Sequence, residues 1–434
     1  MLIIHIKFLY TGRLKEMNTA MAKNSNLQSA KDTKNDEFYT QYSDVQVEIN
    51  AFLEYDANIF RDKTILLPCD DPEWSSFTKY FAAHFEEFGI KKLISTSYAS
   101  DAKKEKYGLD PQISIWELNS PNYDEQKSKA HGKIFTLERG KTADKNNDKI
   151  IDIDDLDFEY LEGDGDFRSE EVIALRDQCD FIITNPPFSL FREFMAWIME
   201  AEKKFIIIGN MGAITYKEIF PLIKENKIWL GIPFKAGNAY FKVANVRDYA
   251  NGVYDESTGL VKFRNCCWFT NAEHGRRHEP LESMSMADQK RFSKHKEIRD
   301  HDYQKYDNYN AIEVPFTDSI PNGYTGIMGV PISFLDRYNP QQFEILGMTT
   351  GRSEFSELAY PTKRYVNAIQ HNSNGSVANG SKANTRACLL VDEPSGTYYT
   401  ADNADGKLEI VYARILIRFK QSWIDSHPED FGGN

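Results

Sequence analysis

The sequence predicts an α/β fold in which a parallel, doubly wound sheet precedes a loop-rich C-terminal region. Up to about residue 271, short apolar segments typical of buried strands alternate with periodic helical segments, about 30 residues apart. Beyond that point, turn signals such as Asn374-Gly375 multiply and helical periodicity fades. The length of 434 residues allows one large domain or two to three smaller ones.

The predicted elements follow in chain order. Apolar runs predict strands at 64–68, 92–98, 180–184, 204–209, 228–231 and 266–270. Helical periodicity predicts helices at 45–55, 170–178, 191–202 and 216–226. A further helix is predicted to open in the loop 69–76 and to run through Phe88, with Pro72 at its start, where the missing N–H costs little.

The composition is that of a protein with a substantial core, with 41% hydrophobic and 27% charged residues. No apolar stretch approaches the length of a membrane-spanning helix. The first residues lack a basic leader, so we expect no secretory signal. The five cysteines are odd in number and form no Cys-x-x-Cys pair, which predicts reduced thiols, no zinc site and a cytoplasmic location.

The net charge of −13 argues at first against a polyanionic partner. However, segment 141–166 alone carries ten acidic and three basic residues, and so accounts for −7 of the total. Residues 1–36 carry a net charge of +3 and have the polar composition of a flexible arm. More than half of the net negative charge therefore lies in one segment, which is predicted to face away from a polyanionic partner except at its Asp166 end.

The most informative motif is Asn185-Pro186-Pro187-Phe188, which follows a buried strand and precedes a helix. Two prolines fix the backbone and remove two N–H donors, so the carbonyls there are predicted to point outward. The Asn185 side chain and the Pro186 carbonyl could accept the two protons of an adenine N6 amine as positive charge develops on that nitrogen. Phe188 supplies a flat face for a base taken out of its helix. The alternative reading is a rigid turn without chemistry.

Further segments, in order, carry a family resemblance. They are Asp36-Glu-Phe-Tyr-Thr-Gln-Tyr42, Cys69-Asp-Asp-Pro72, Lys79-Tyr-Phe81, Gly163-Asp-Gly-Asp-Phe-Arg-Ser169, Thr184-Asn-Pro-Pro-Phe-Ser-Leu-Phe-Arg192, Ile214-Thr-Tyr-Lys-Glu218, Lys224-Glu-Asn-Lys-Ile-Trp-Leu-Gly231, Lys305-Tyr-Asp-Asn-Tyr309 and Gly329-Val-Pro-Ile332. Together they resemble the EcoRI-type adenine-specific DNA methyltransferases, over roughly residues 36–346.

The resemblance implies transfer of a methyl group from S-adenosylmethionine to adenine N6 in a defined sequence of double-stranded DNA, without a metal. It also implies a Rossmann-like methyltransferase sheet. We expect three parts: the arm 1–36, a catalytic domain at 37–271 with an acidic insertion at about 141–160, and a target-recognition region at 272–434. A cognate restriction endonuclease is expected as the partner enzyme, no membrane is expected, and the protein is expected to be a monomer.

By resemblance, Asn185, Pro186, Pro187 and Phe188 form the catalytic loop. The segment Phe38, Tyr39 and Thr40 resembles the region around the cofactor's methionine, and Asp70 and Asp71 resemble the site of its amino-acid end. Asp166 and Phe167 resemble the pair that holds the cofactor's adenine. Carboxylates and aromatic faces suit a cofactor with an ammonium and a sulfonium. The sequence departs from methyltransferases at large because Cys69-Asp-Asp-Pro-Glu73 replaces the usual glycine-rich loop, and because the second strand ends without an acid for the ribose.

A basic segment at 274–301 is the predicted DNA contact, because Lys and Arg spaced along a helix can bind phosphates. The predicted contacts are Arg276, Arg277, Lys290, Arg291 and Lys294. Acidic residues are interleaved with them, so a solvated helix face is the competing interpretation.

Two other functions remain open at this stage. Asparagine-proline-proline-aromatic loops also bind amide nitrogens, so the substrate could be glutamine side chains of a protein partner. The segment Asp144–Asp155 has acids or amides at positions 1, 3, 5, 9 and 12 of a calcium loop, so it resembles the site of a calcium-dependent binding module, with a solvated acidic loop as the alternative interpretation. Against calcium, Lys149 replaces the turn glycine and Asp155 the longer glutamate.

Overall fold

The computed structural model describes residues 39–72, 74–99, 115–118, 120–242, 253–350 and 361–431. The predicted arm 1–36 and Phe38 lie outside these residues. The described chain is a mixed α/β structure built around one large sheet of mixed strand direction. None of its described helices is long and apolar enough to cross a membrane.

The helices confirm most of the predicted positions. In chain order they are α1 (Tyr42–Tyr55), α2 (Ser76–Ala83), α3 (Ile115–Leu118), α4 (Glu125–Ala130), α5 (Glu170–Gln178), α6 (Phe191–Glu200), α7 (Phe220–Lys224), α8 (Met286–Phe292), α9 (Gln421–Ser426) and α10 (Pro428–Phe431). The helix predicted at 216–226 is reduced to α7, and the one predicted through Phe88 ends at Ala83.

The start of α2 differs from the prediction that placed Pro72 there. Ser75 is the N-cap, and its hydroxyl accepts hydrogen bonds from the backbone N–H groups of Phe77 and Thr78 at 3.1 and 3.2 Å. Pro72 lies in the preceding turn. A serine that satisfies two unpaired donors starts the helix better than a proline that merely lacks one.

The strands fall into four sheets. In chain order they are β1 (Tyr39–Thr40), β2 (Thr64–Leu67), β3 (Lys92–Ser97), β4 (Lys133–Glu138), β5 (Asp157–Tyr160), β6 (Phe181–Thr184), β7 (Lys204–Asn210), β8 (Trp229–Leu230), β9 (Asn238–Lys242), β10 (Tyr254–Asp255), β11 (Leu260–Arg264), β12 (Cys266–Thr270), β13 (Ile312–Glu313), β14 (Met328–Pro331), β15 (Phe343–Met348), β16 (Ile369–His371), β17 (Val377–Asn379), β18 (Cys388–Val391), β19 (Tyr398–Thr400), β20 (Lys407–Ile410) and β21 (Arg414–Phe419).

The large sheet has the strand order β5-β4-β3-β2-β6-β7-β12-β8. Its centre, β3-β2-β6-β7, is parallel, with Ile65 opposite both Leu93 and Phe181. The prediction of a parallel sheet is therefore correct for the centre and wrong for the edges, where β4, β5 and β12 run antiparallel. The central strands are buried on both faces, whereas β4 alternates between buried and half-buried residues, as antiparallel strands with one more exposed face do.

Alternate residues of the central strands enter two separate cores. Leu66, Ile182 and Phe205 pack with α5, α6 and α7 on one face. Ile65 and Ile183 pack with α1 and α2 on the other. The sheet is thus covered by helices on both sides, which explains why its central strands are continuous apolar runs in the sequence.

The acidic insertion connects β4 to β5. Because β4 is antiparallel to β3, with Glu138 opposite Lys92, this connection leaves the sheet at the amino ends of the parallel strands. The Arg139 N–H accordingly bonds to the carbonyl of Lys91, just before β3. The insertion therefore lies at the opposite edge of the sheet from the loops that follow β2, β3 and β6.

The C-terminal region contains more sheet than its turn-rich sequence predicts. Strands β13, β14, β21 and β15 form one sheet whose apolar residues, such as Val330, Phe343 and Ile417, join the same core as α5 and α6. A second sheet, β17-β16-β19-β20-β18, has a small core of its own around Cys388 and Tyr399. Strands of two to six residues separated by turns are too short to show clear periodicity in the sequence.

A buried glutamate joins α1 to the segment after β8. The Glu48 side chain is fully buried, and its Oε2 accepts the backbone N–H of Ile232 at 2.8 Å. Any Cβ at position 231 would overlap this carboxylate, so only glycine fits there. Burial raises the pKa of Glu48 to about 8, although the Ile232 N–H and the charge of Arg276 oppose this rise.

We expect Glu48→Gln to stabilise the protein increasingly as the pH rises. The pKa of about 8 exceeds the ordinary value of 4.5, so the folded state holds a proton that the unfolded state has already released. The wild-type protein therefore loses stability as the pH rises from 4.5 towards about 8. Glutamine removes this loss and can still accept the Ile232 N–H. Thermal unfolding of both proteins between about pH 5 and about pH 9 measures the stability difference. A difference that does not change with pH would contradict the prediction.

Candidate active site

The loops with the predicted chemistry meet at the carboxyl edge of the parallel strands. Strand β2 leads into Cys69-Asp70-Asp71, β3 into Tyr98, and β6 into Asn185. The Thr184 hydroxyl donates a hydrogen bond to the carbonyl of Pro68 at 2.8 Å, which ties the ends of β2 and β6 together. Loops at this edge of an open α/β sheet are the usual position of a ligand site.

The loop after β6 is rigid and partly open. Pro186 and Pro187 are buried, whereas Asn185 and Phe188 are half-buried. Phe188 begins a short 3-10 turn, Phe188–Leu190, that runs directly into α6. Its ring packs edge-on against Phe241 and Phe263, with ring centroids 6.4 and 5.8 Å away. The loop therefore sits between the large sheet and the sheet formed by β1, β9, β11 and β10.

The segment Tyr39–Thr40 reaches the same place through that second sheet. Strand β1 pairs with β9, and Thr40 lies opposite Phe241, the residue that packs against Phe188. The Tyr39 ring lies 5.8 Å from the ring of Trp74, in the loop that follows β2. A segment that precedes the large sheet in the chain is thus brought between two of the predicted loops.

Asp70 is buried with one carboxylate oxygen in use. The Ser75 hydroxyl donates to its Oδ1 at 2.7 Å, while Oδ2 has no hydrogen-bond partner among the described residues. Burial raises the pKa of Asp70 to about 7, and the nearby Asp71 adds to the rise, although the hydroxyls of Thr184 and Ser75 oppose it. A buried acceptor oxygen of this kind can receive the N–H of a bound cation.

The backbone around Asp70 explains how the chain turns here without a glycine-rich loop. Cys69 adopts a left-handed conformation, with φ of 70°, at the position where glycine would be favoured. The Asp70 N–H bonds to the carbonyl of Thr96 at 2.7 Å, and the Asp71 carbonyl accepts the N–H groups of Trp74 and Ser75. Asp71 itself is buried.

Asp166 lies beside the end of β3 in a different electrostatic setting. Arg168 donates to both of its oxygens, with Nε to Oδ1 at 2.8 Å and Nη2 to Oδ2 at 2.6 Å. Burial opposes ionisation, yet these bonds and one from Tyr98 hold the pKa of Asp166 well below its usual range. Phe167 is buried against Phe194 and Trp197, at centroid distances of 5.1 and 5.6 Å, so its ring is part of the core.

Glycine allows the Asp166 segment to cross β3 closely. Gly165 has φ of 85°, and a Cβ there would stand 2.5 Å from the carbonyl oxygen of Ser97, the last residue of β3. The adjacent Asp164 carbonyl accepts the N–H of Ala99 at 2.8 Å. Backbone contact thus requires glycine at position 165, whereas nothing lies within 4 Å of a Cβ at Gly163.

The five basic residues predicted to contact DNA do not form one surface. Arg277 is buried, stacks on Trp229 at 3.8 Å and pairs with Glu273 at 2.9 Å. Arg276 is half-buried, with its charge acting on the buried carboxyls of Glu48 and Asp336.

The other three of these residues lie in or after α8. Lys290 pairs with Asp302, and Lys294 pairs with Asp318 at 2.7 Å. Arg291 is exposed and makes no ion pair among the described residues. The alternative of a solvated helix face therefore fits this stretch better than a continuous phosphate-binding surface does.

Several carboxylates of the acidic insertion accept hydrogen bonds from backbone N–H groups of the same insertion. The Asp144 carboxylate accepts the N–H groups of Asp148 and Lys149, and the Asp155 carboxylate accepts those of Lys145 and Asp152. Within the described ranges, no group of three or more His, Cys, Asp or Glu side chains is arranged to hold a metal ion.

Sequence reasoning missed several residues of this region. Arg168, Tyr98 and Ser75 act on the two predicted carboxylates, and β9 and β11 carry the aromatic residues behind Phe188. The alternating patterns of 238–242 and 260–264 were a usable signal for these two strands. The contacts of Arg168, Tyr98 and Ser75 depend on tertiary structure and have no sequence signal of their own.

Comparison with known proteins gives a consistent result. The sequence model of the family described as "Adenine-specific methyltransferase EcoRI" matches residues 26–420. The chain is 39% identical to the Type II methyltransferase M.EcoRI of Escherichia coli, over 77% of this chain and 92% of that protein. It is 31% identical to the Type II methyltransferase M.MpnI of Mycoplasma pneumoniae, over 73% of this chain and 83% of that protein. No solved structure gives a significant match.

We expect Gly165→Ala to destabilise the protein more than Gly140→Ala does. Both glycines have positive φ, at 85° and 77°, so each substitution carries a similar backbone cost of about 1 to 2 kcal/mol. Only Gly165 faces a close neighbour, since nothing lies within 4 Å of a Cβ at Gly140. Denaturant unfolding measures the difference, and equal losses of stability would show that the crossing over β3 tolerates a methyl group.

Proposed function

This chain belongs to the EcoRI family of adenine-specific methyltransferases, and from that premise we propose how its own residues carry out the reaction. It is a site-specific DNA methyltransferase that modifies adenine within restriction–modification, and its family uses S-adenosylmethionine. The convergence of the Asp70, Asp166 and Asn185 loops at one edge of the sheet is the observation that carries the residue-level proposal.

Asp70 fits the amino-acid end of S-adenosylmethionine. Its buried Oδ2 has no partner among the described residues, and an ammonium group would supply the missing hydrogen bond and charge. Asp71, Tyr39 and Thr40 line the same region, and Asp166 suits the adenine end because its carboxylate stays ionised. Phe167 packs in the core next to Asp166. Phe38 precedes Tyr39 in the sequence and is assigned to the same end of the cofactor as Tyr39 and Thr40. When bound, the cofactor supplies the methyl group.

Asn185 and Pro186 are proposed to act on the adenine amine. The side-chain oxygen of Asn185 and the carbonyl of Pro186 would accept the two N6 protons, which favours a pyramidal nitrogen and exposes its lone pair. These acceptors stabilise the positive charge that develops on N6 in the transition state. Pro187 holds the loop backbone rigid, so little reorganisation is needed during the reaction.

Phe188 is proposed to stack on the target adenine after it leaves the duplex. An atom inside stacked DNA cannot be reached, so an enzyme that modifies a base has to extrude it. The Phe188 ring is half-buried and is supported from behind by Phe241 and Phe263, as a stacking platform has to be. Proximity of the base and the methyl donor then provides much of the rate.

The finer architecture forms part of the proposal. We assign a Rossmann-like methyltransferase fold to region 37–271, because the parallel centre of its sheet is covered by helices on both faces. Region 272–434 is assigned to target recognition, with Arg291 as the predicted contact there that is exposed and makes no ion pair among the described residues. We also propose that residues 1–36 form a separate arm, that the protein is a cytoplasmic monomer, and that a cognate restriction endonuclease acts at the same DNA site. Adenine specificity of the family argues against glutamine amides as substrate.

We expect Asn185→Ala to lower the methylation rate by roughly 100- to 1000-fold, the usual effect of removing one group that stabilises transition-state charge. Affinity for S-adenosylmethionine should stay within about twofold, because Asn185 is assigned to the base and not to the cofactor. Single-turnover methylation and calorimetric cofactor binding measure the two effects. Full activity in this variant would remove Asn185 from the mechanism.

The activity itself is tested by sequencing DNA from cells that express the wild-type chain, with a method that detects modified bases. Modified adenine at one recurrent sequence is the expected result. The Asn185→Ala chain, expressed at the same level, is the matched control. The absence of modified adenine in wild-type DNA would overturn the proposed function.

We expect cofactor affinity to rise about tenfold between about pH 6 and about pH 8. The pKa of Asp70 is about 7, so at the lower pH most molecules must lose a proton before this carboxylate can hold a cation. Asp70→Asn should bind more weakly and should lose this pH dependence. Calorimetric titrations across the range measure both.

Asp166→Asn is the matched control for the pH experiment. The pKa of Asp166 lies well below this range, so its carboxylate is charged throughout. The control should weaken binding equally at every pH and keep the rise that Asp70 produces. A flat wild-type profile would contradict the assignment of Asp70 to the cofactor's ammonium.

A further inference from the structure

The sheet beside Phe188 has an outer face of distinct composition, which we call the basic face. It consists of the outward residues of β9 and β11, namely Asn238, Tyr240, Lys242, Leu260, Lys262 and Arg264. Lys262 lies directly opposite Tyr240, and Arg264 opposite Asn238. Lys242 and Arg264 are exposed, and Tyr240 is 40% exposed.

The basic face lies close to the candidate active site because of strand alternation. The inward residues of the same two strands include Phe241 and Phe263, which pack against Phe188 at 6.4 and 5.8 Å. Side chains of neighbouring positions point to opposite faces of a strand. One layer of sheet therefore separates the Asn185–Phe188 loop from Lys242, Lys262 and Arg264.

The cations of the basic face have no acidic partner among the residues that the structure describes. Lys242, Lys262 and Arg264 make no ion pair with any described residue, in contrast to Lys290 and Lys294 of the predicted basic segment. Lys262 lies 5.9 Å from the centre of the Tyr240 ring. The acid nearest in the sheet, Asp255 of β10, accepts both the N–H and the hydroxyl of Ser257. Positive charge beside an aromatic ring on a flat face suits a polyanion.

We propose that the basic face binds the phosphodiester backbone of double-stranded DNA next to the target adenine. The proposal rests on the proposed function, because it takes the Asn185 loop as the place where that adenine is modified. The Arg264 guanidinium can donate two hydrogen bonds to one phosphate, and the lysines act as point charges. Contacts of this kind set the position of the duplex and carry no sequence information.

The test is the salt dependence of DNA binding by the full-length chain, measured by fluorescence anisotropy with a short labelled duplex of mixed sequence and without cofactor. Each lost phosphate contact should reduce the slope of log Kd against log salt concentration by about 0.9. Lys262→Ala and Arg264→Ala should each show this loss, and the double variant about twice as much. Arg264→Lys should retain the wild-type slope because it retains the charge.

Lys91→Ala is the matched control. Lys91 is an exposed lysine that makes no ion pair with any described residue, and it precedes β3 at the opposite edge of the large sheet. Its removal should leave both the slope and the affinity unchanged. All substituted side chains point to solvent or are half-buried, so unfolding temperature and calorimetric cofactor affinity should match those of the wild type and thereby exclude misfolding.

Two outcomes separate this proposal from the proposed function. A double variant with the wild-type slope and affinity would overturn the basic face as a DNA contact, even if the wild-type chain methylates adenine. A reduced slope in a protein whose wild-type form modifies no adenine would leave the DNA contact standing and overturn the function. If Lys91→Ala reduced the slope of log Kd against log salt concentration as much as the basic-face variants do, the effect would be one of net charge in general. This result would also overturn the proposal.

Discussion

Parallel pairing of four strands that are buried on both faces is the constraint on which the rest of this structure depends. Buried backbone groups have to be paired, and in β3, β2, β6 and β7 the ladder provides those partners. Fully buried aliphatic side chains, such as Leu66 and Ile182, each contribute about 1.5 to 3 kcal/mol. Since neighbouring strands run in the same direction, their following loops meet at one edge, and the candidate site forms there.

This edge gives two aspartates opposite electrostatic character. Asp70 is buried beside α2, and its side-chain donors among the described residues are neutral hydroxyls, so burial dominates and raises its pKa to about 7. Asp166 receives two bonds from the Arg168 guanidinium, and these outweigh burial and lower its pKa. Burial therefore favours the neutral form of one carboxyl, and the guanidinium favours the ionised form of the other. Such divergence between groups of one type is characteristic of functional sites.

The distribution of charge reconciles an acidic protein with a polyanionic substrate. The insertion at about 141–160 holds seven acidic and three basic residues, so it carries −4 of the net charge of −13, and it leaves the large sheet at the amino ends of the parallel strands. The cations of β9 and β11 lie near the opposite edge, behind Phe188. Within a distance set by screening, about 8 to 10 Å in physiological salt, local charge matters more to a phosphate than the total does.

The sequence by itself determined the central strands, most helices before residue 271 and the Asn-Pro-Pro-Phe loop, because strand burial and proline geometry act over a few adjacent residues. It did not reveal the antiparallel edges, the C-terminal sheets or the start of α2 at Ser75, since short strands and caps depend on partners distant in the chain. Only the tertiary structure decided that Arg277 stacks on Trp229, that Phe167 belongs to the core and that β1 reaches Phe188 through β9. Side-chain charge is visible in a sequence, but its exposure and its partners are set by packing.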